Sequence, residues 1–177
     1  MNITLIGMPG AGKSTLGVLL AKALGYRFID TDLMIQERTG ELLYKTIEKN
    51  GIDEFIALEE DTLCQINLEK TIIATGGSAV YGDKAMTHLK SIGVVVYIKL
   101  SYEEVYKRVK NITTRGVVMK HGKTLEDVYY ERAPLYDKYA DIVVDCDSMN
   151  IEECINTLVD RINDLKEQSS DVRMEGK

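Results

Sequence analysis

The chain has 177 residues, 45% of them hydrophobic, which is enough for one domain with a core that needs no staples. Its formal net charge of −6 supplies no basic stripe, which excludes nucleic acid as the main partner and makes any local cluster of arginine informative. Cys64, Cys146 and Cys154 fall at no metal-ligand spacing, no signal-peptide pattern precedes the first strand and no 18-residue apolar run offers a membrane span. A cytoplasmic protein without membrane partners, and a monomer by default, is expected.

In chain order, the apolar run Asn2–Ile6 predicts a first strand. It leads into Gly7-Met-Pro-Gly-Ala-Gly12-Lys13-Ser14-Thr15, a full match to the phosphate-binding pattern G-x-x-x-x-G-K-[ST]. An amphipathic stretch carrying Leu16, Leu19, Leu20, Ala23 and Leu24 follows, so the pattern sits between a strand and a helix, the context it needs. Glycines there let backbone N–H groups converge on phosphate oxygens, and the helix N-terminus adds partial positive charge. Gly10, Ala11, Gly12, Lys13, Ser14 and Thr15 are therefore candidate ligands of a nucleoside triphosphate. Lys13 would meet the β- and γ-phosphates and the Ser14 hydroxyl would ligate Mg²⁺.

A second strand, Arg27–Ile29, ends in Ile29-Asp30-Thr31-Asp32. Residues two apart in an extended segment point the same way, so Asp30 and Asp32 are expected to face one crevice, one near Mg²⁺ and one on the acceptor hydroxyl. Either could instead cap the helix expected over 32–38. A further helix is expected over 53–68, with Phe55, Leu58, Leu63 and Ile66 on one face. The strand Thr71–Ala74 runs into Thr75-Gly76-Gly77-Ser78, where the glycines permit close approach to a ligand and Ser78 is placed to cap the next helix. Helices over 83–91 and 101–110 flank the strand Val94–Ile98. The polar, glycine-containing segment 111–123 suits a lid, in which Arg115 is either a charge-stabilising group or simply solvated. Arg108 precedes that segment, where it could stack on a nucleobase. Arg132 follows it, where it could bind an anion. Pro134 is expected to break or kink the helix over 124–139. The strand Ile142–Val144, a helix over 151–166 and a frayed polar tail at 168–177 complete the chain.

Short, mostly non-alternating strands separated by helices predict an α/β fold with a parallel sheet covered on both faces. The expected architecture is a P-loop NTPase three-layer sandwich with a five-stranded parallel sheet, in a single domain over 1–167. The acceptor-binding helices fall at about 32–68 and the mobile lid at about 111–123.

These residues together resemble the shikimate kinase family, within the nucleoside-monophosphate-kinase-like P-loop proteins. The resemblance spans roughly residues 2–165. It rests on the phosphate loop at 7–15, Phe28-Ile-Asp-Thr-Asp32, Arg38-Thr-Gly40, Gly51-x-x-x-Phe55-x-x-x-Glu59-Glu60, Gly76-Gly77, Arg115 and Glu131-Arg132-Ala-Pro-Leu-Tyr136. It implies ATP-dependent phosphorylation of a hydroxyl on a small carboxylated cyclic polyol, shikimate first among them. In that frame Asp30 acts near Mg²⁺ and Asp32 holds the acceptor hydroxyl. Gly76 and Gly77 line the acceptor site, Arg132 grips its carboxylate, Arg115 closes with the lid and Arg108 lies against adenine. Three positions depart from the family pattern: Ile56 stands where it has a second carboxylate-binding arginine, Ser78 where it has a third glycine, and Gly116 where proline follows the lid arginine. The phosphoryl-transfer residues are all present, which disfavours a non-catalytic nucleotide-binding regulator. The altered acceptor residues leave a different hydroxylated metabolite as the alternative acceptor.

Overall fold

The computed structural model describes residues 1–110, 118–119 and 122–175. Its centre is a five-stranded, wholly parallel sheet of β1 (Asn2–Ile6), β2 (Arg27–Asp30), β3 (Thr71–Ala74), β4 (Gly93–Lys99) and β5 (Ile142–Asp145), in the order β2-β3-β1-β4-β5. All five strands fall where the apolar runs predict them, within a residue at each end. The central strand β1 is buried along its whole length and pairs in register with β3 (Ile3 beside Ile72) and with β4 (Ile3 beside Val94). Its one polar end residue, Asn2, is a tie: its amide donates to the Leu68 carbonyl at 2.6 Å and its oxygen accepts from Thr71 N–H at 3.1 Å. That satisfies both halves of a buried amide and fixes the register of β3.

Helices α1 (Lys13–Leu24), α5 (Asp83–Ile92), α6 (Tyr102–Lys110), α7 (Leu125–Tyr139) and α8 (Ile151–Glu175) cover the sheet. The first of these packs so tightly on β2 that a Cβ on Gly17 would lie 2.6 Å from the Phe28 ring, so glycine is dictated there by space. The main apolar cluster joins both sheet faces to these helices, through residues such as Leu20, Ile73, Val96, Val105 and Leu158.

Between β2 and β3 lie α2 (Thr31–Thr39), α3 (Leu43–Asn50) and α4 (Ile52–Cys64). They close around a second, smaller core of Ile35, Phe55 and Val118, with Leu43, Ile47, Ile52, Ile56 and Leu58 packed onto it. The sequence pattern predicts α2 and α4 but not α3, whose cap residue Leu42 has no side chain able to accept a hydrogen bond.

Two expectations for the later helices, a break at Pro134 and a frayed tail, are corrected. Pro134 lies inside α7 without ending it. The helix is pinned on both sides of the proline, by Tyr129 donating to the Leu100 carbonyl at 2.9 Å and by Tyr136 stacked on Tyr97 at 5.0 Å, so tertiary packing outweighs the lost backbone bond. The last helix, α8, runs to Glu175, past the point where the polar tail is expected to fray.

Candidate active site

Three strand ends converge on one cavity of about 850 Å³. The loop after β1 supplies Gly10, Gly12, Lys13 and Ser14, the end of β2 supplies Asp30 and Asp32, and the turn after β3 supplies Gly76, Gly77 and Ser78. Glu59 from α4, Val118 and Arg132 from α7 complete the far wall. Crevices of this kind form where consecutive connections leave a parallel sheet in opposite directions, which here is around β1.

The phosphate loop has the backbone its chemistry needs. Gly10 and Gly12 adopt φ of 81° and 86°, and Gly12 precedes α1 with no side chain capping the helix. The first N–H groups of α1 are thus left for an anion. Lys13 is buried, with its ammonium donating to the carbonyls of Gly7 at 2.7 Å and Met8 at 2.9 Å. Of the remaining candidate ligands, Ala11 and Thr15 do not line the cavity, and neither does Arg108. Arg108 lies against the loop instead: a Cβ on Gly10 would sit 3.3 Å from its Cβ, and its Nε donates to Glu104 at 2.8 Å. Arg115, with most of the expected lid, lies outside the described residues.

Asp30 and Asp32 do share the cavity, for a different reason than strand alternation. The strand stops at Asp30, whose carboxylate accepts the Asp32 N–H at 3.0 Å and caps α2. Asp32 is therefore in the first turn of a helix, and the turn of the chain, not the pleat, brings the two carboxylates together. Capping and a place in the site turn out to be compatible roles.

The turn after β3 is shaped by its neighbours. A Cβ on Gly76 would collide with Glu59 Oε1 and come within 3.1 Å of Asp32 Oδ1. A Cβ on Gly77 would lie 2.7 Å from the Pro9 ring and 3.2 Å from Arg132 Nη1. Neither glycine has a positive φ, so both are required by the space they leave open. Ser78 does not cap the following turn. Its hydroxyl donates to Glu59 Oε2 at 2.5 Å instead.

Arg132 is 1% exposed. Its Nη2 donates to the Val118 carbonyl at 2.6 Å, its Nε to the Tyr81 hydroxyl at 3.2 Å, and the guanidinium lies 5.0 Å from the centre of the Tyr81 ring. Nη1 is buried and has no partner among the described residues. Tyr136, one turn on, donates to the Gly77 carbonyl at 2.6 Å, which ties α7 to the same turn. A buried guanidinium with an unused donor on a cavity wall is a site for an anion.

Glu59 is the residue that motif reading left without a role of its own. It is 1% exposed, and burial raises its carboxyl to about 7, against the lowering effect of the Ser78 hydrogen bond. Asp32 adds to the rise, while Arg132 and Lys13 oppose it. The signal available in the sequence was its position: four residues after Phe55, it falls on the face of α4 that also buries Thr62 and Leu63. Ile56 is displaced from its expected place in the acceptor wall. It lines a smaller neighbouring cavity of about 260 Å³ with Tyr81, Lys123 and Glu131, and Val118 borders both spaces. Its short aliphatic side chain packs with the second core and does not extend into the larger cavity.

The sequence profile described as "Shikimate kinase" matches residues 9–163. The chain belongs to the shikimate kinase family. It is 33% identical over 168 residues to the shikimate kinase of Haemophilus influenzae strain PittEE, covering 93% of each chain. It is 35% identical over 161 residues to that of Francisella tularensis subsp. novicida, covering 89% of this chain and 92% of the relative. Among solved structures it is similar to a shikimate kinase from Acinetobacter baumannii in complex with shikimate, with a TM-score of 0.84 and 29% identity over 93% of this chain and 94% of that one. A deoxyadenosine kinase from M. mycoides with bound dATP shares the fold alone, at a TM-score of 0.52 and 19% identity over 92% of this chain and all of that one. Like the rest of the family, the chain is an ATP-dependent kinase built on the P-loop fold. No helix among the described residues is long and apolar enough to cross a membrane.

Proposed function

We propose that this protein transfers the γ-phosphoryl group of ATP to a ring hydroxyl of shikimate, giving shikimate 3-phosphate. The observation that carries the substrate assignment is Arg132, whose buried Nη1 has no partner among the described residues and which lines the cavity shared by Lys13 and Asp32. One unused donor in a water-poor wall suits one carboxylate, and the polar groups opposite suit a polyol. The A. baumannii relative, which shares this fold, holds shikimate.

In this reading the amides of Gly10, Ala11 and Gly12, with those of Ser14 and Thr15 at the start of α1, cradle the phosphates. Lys13 neutralises charge between the β- and γ-phosphates. Asp32 holds the acceptor hydroxyl and takes its proton as the oxygen bonds to phosphorus and the bond to the ADP oxygen breaks. Gly76 and Gly77 leave room for the ring, Arg132 holds the carboxylate, Arg108 lies beside the nucleotide and Arg115 closes over the transferring group. The residues present fit Mg²⁺. Ser14 and Asp30 line the cavity and would offer the ion one hydroxyl and one carboxylate. When bound it neutralises phosphate charge.

Arg132→Met tests the assignment, because it keeps the volume and removes the donor. The expected result is a KM for shikimate raised roughly 50-fold or more, from the loss of a charge-assisted contact in a desolvated site, with the KM for ATP within a factor of about two. A folded variant with wild-type KM for shikimate contradicts it.

A further inference from the structure

Arg132 is the only guanidinium that lines the large cavity among the described residues, and Ile56 brings no second one to its wall. An arginine side chain has a long flexible stem, and freezing it at the moment of binding weakens the contact it makes. The fold removes that freedom beforehand. Nε donates to the Tyr81 hydroxyl at 3.2 Å, Nη2 donates to the Val118 carbonyl at 2.6 Å, and the guanidinium carbon lies 5.0 Å from the centre of the Tyr81 ring. A cation over an aromatic face gains further attraction where water is scarce, and Arg132 is buried.

Tyr81 meets the guanidinium from the side away from the phosphate loop. Tyr81 and Glu131 line the smaller cavity and not the larger, while Arg132 lines the larger and not the smaller. The Tyr81 hydroxyl accepts from Arg132 and donates its own proton to Glu131, which also accepts from the Lys123 ammonium. Lys123 first, and then Tyr81, hold the Glu131 carboxyl below its usual range against its partial burial, so it is ionised at neutral pH. An ionised acceptor beyond a hydroxyl polarises the O–H bond and makes the oxygen a better acceptor for Nε. The backbone of Tyr81 is fixed too. It ends a 3-10 turn over Ala79–Tyr81, directly after the glycines at 76 and 77, and its N–H donates to the Ser78 carbonyl at 2.9 Å.

We infer that Tyr81 is a positioning residue for the acceptor: backed by Glu131, it locks Arg132 in the orientation that meets the acceptor's carboxylate. A single pre-set guanidinium then does the holding, with no second arginine from position 56. The inference rests on the reading of Arg132 under the proposed function and deepens it. Tyr81 touches no reacting atom, and its whole effect passes through Arg132. Nε and Nη2 are taken by the protein, which leaves Nη1 as the nitrogen without a partner among the described residues.

The test is a double-mutant cycle on wild type, Tyr81→Phe, Arg132→Met and the two changes together, read as steady-state kinetics with shikimate and Mg²⁺-ATP. Tyr81→Phe removes the hydroxyl and keeps the ring against the guanidinium. The expected result is a KM for shikimate raised about 5- to 10-fold, the scale of one hydrogen bond to a charged group, with kcat and the KM for ATP within a factor of about two. In the Arg132→Met background, adding Tyr81→Phe changes the KM for shikimate by less than about two-fold, because the group it orients is gone. A hydroxyl that only stabilises the fold would act by the same factor in both backgrounds. Glu131→Gln is the second variant, at a half-exposed position. It should raise the KM for shikimate by about 3-fold, again only where Arg132 is present. The inference is overturned if both variants leave that KM within about two-fold of wild type, raise the KM for ATP in parallel, or keep their effect without Arg132. Arg132→Met with a wild-type KM for shikimate overturns the reading of Arg132, and this inference with it. A raised KM in Arg132→Met beside an unaffected Tyr81→Phe overturns this inference alone.

Discussion

At the scale of single residues, Glu59 couples the site to the stability of the fold. Its carboxyl sits at about 7 in the folded chain, mainly because burial disfavours the charged form, against an ordinary value of 4.5. The folded chain therefore binds more protons than the unfolded chain between these two values. Stability from this group is fully present below pH 4.5, falls as pH rises through the interval and is lost above about 7. A shift of this size corresponds to about 3 kcal/mol. Glu59→Gln keeps the shape and never ionises. Ligand-free urea unfolding at pH 5 and pH 8 should show the variant gaining about 2.5 kcal/mol on wild type between the two, since pH 5 already lies above the unfolded value. A difference between the proteins that stays constant with pH would contradict this account. The position of Glu59 in the sequence hints at this behaviour, because an acid at i+4 from a buried phenylalanine lies on the inward face of its helix. Nothing in the sequence identifies Ser78 as its partner, since that contact joins residues 19 apart through the fold.

At the scale of elements, the turn after β3 is the piece on which the others bear. Pro9 of the phosphate loop, Arg132 and Tyr136 of α7 and Glu59 of α4 all press on Gly76 and Gly77. Gly77→Ala should push a methyl group into Pro9 and Arg132 Nη1. We expect a loss of about 1–3 kcal/mol in stability, as in overpacked cores, together with a rise of about 10-fold or more in the KM for the acceptor. Thermal unfolding and steady-state kinetics measure the two effects, and a variant matching wild type in both would show that the turn has slack. The sequence makes this element legible only in part. Two glycines after a buried strand announce close approach, but not that the intruders are side chains from four other elements, Asp32 of α2 included. The strands and the phosphate loop were legible because their signals are local: apolar runs of four or five residues, and glycines at fixed spacing. Helix α3 and the uninterrupted α7 were not. The first lacks a cap signal at Leu42, and the second is held by Tyr129, Arg132 and Tyr136 packing against distant parts of the chain. Strand reasoning set Asp32 beside Asp30 in one crevice, although helix capping by Asp30 is what brings the two together.

At the scale of the whole molecule, the parallel sheet gathers the ends of β1, β2 and β3 around one cavity, in which we propose that one face takes phosphate and the opposite wall the acceptor. The acceptor wall rests on its own small core of Ile35, Phe55 and Val118, separate from the main one. Changes there, Ile56 among them, can alter acceptor recognition while the phosphate loop stays anchored on β1 and β4. This separation is consistent with a chain that keeps its phosphate loop while differing from the family pattern at Ile56. In the proposed reading, Lys13, Asp32 and Arg132 join ATP to shikimate in one cavity. ADP release by the purified protein, measured with Mg²⁺-ATP in the presence and absence of shikimate and followed by mass spectrometry of the acceptor, tests it most directly. Shikimate-dependent ADP release is expected, with one monophosphorylated shikimate formed per ADP. ADP release that does not rise with millimolar shikimate, from a folded protein that binds ATP, would contradict it.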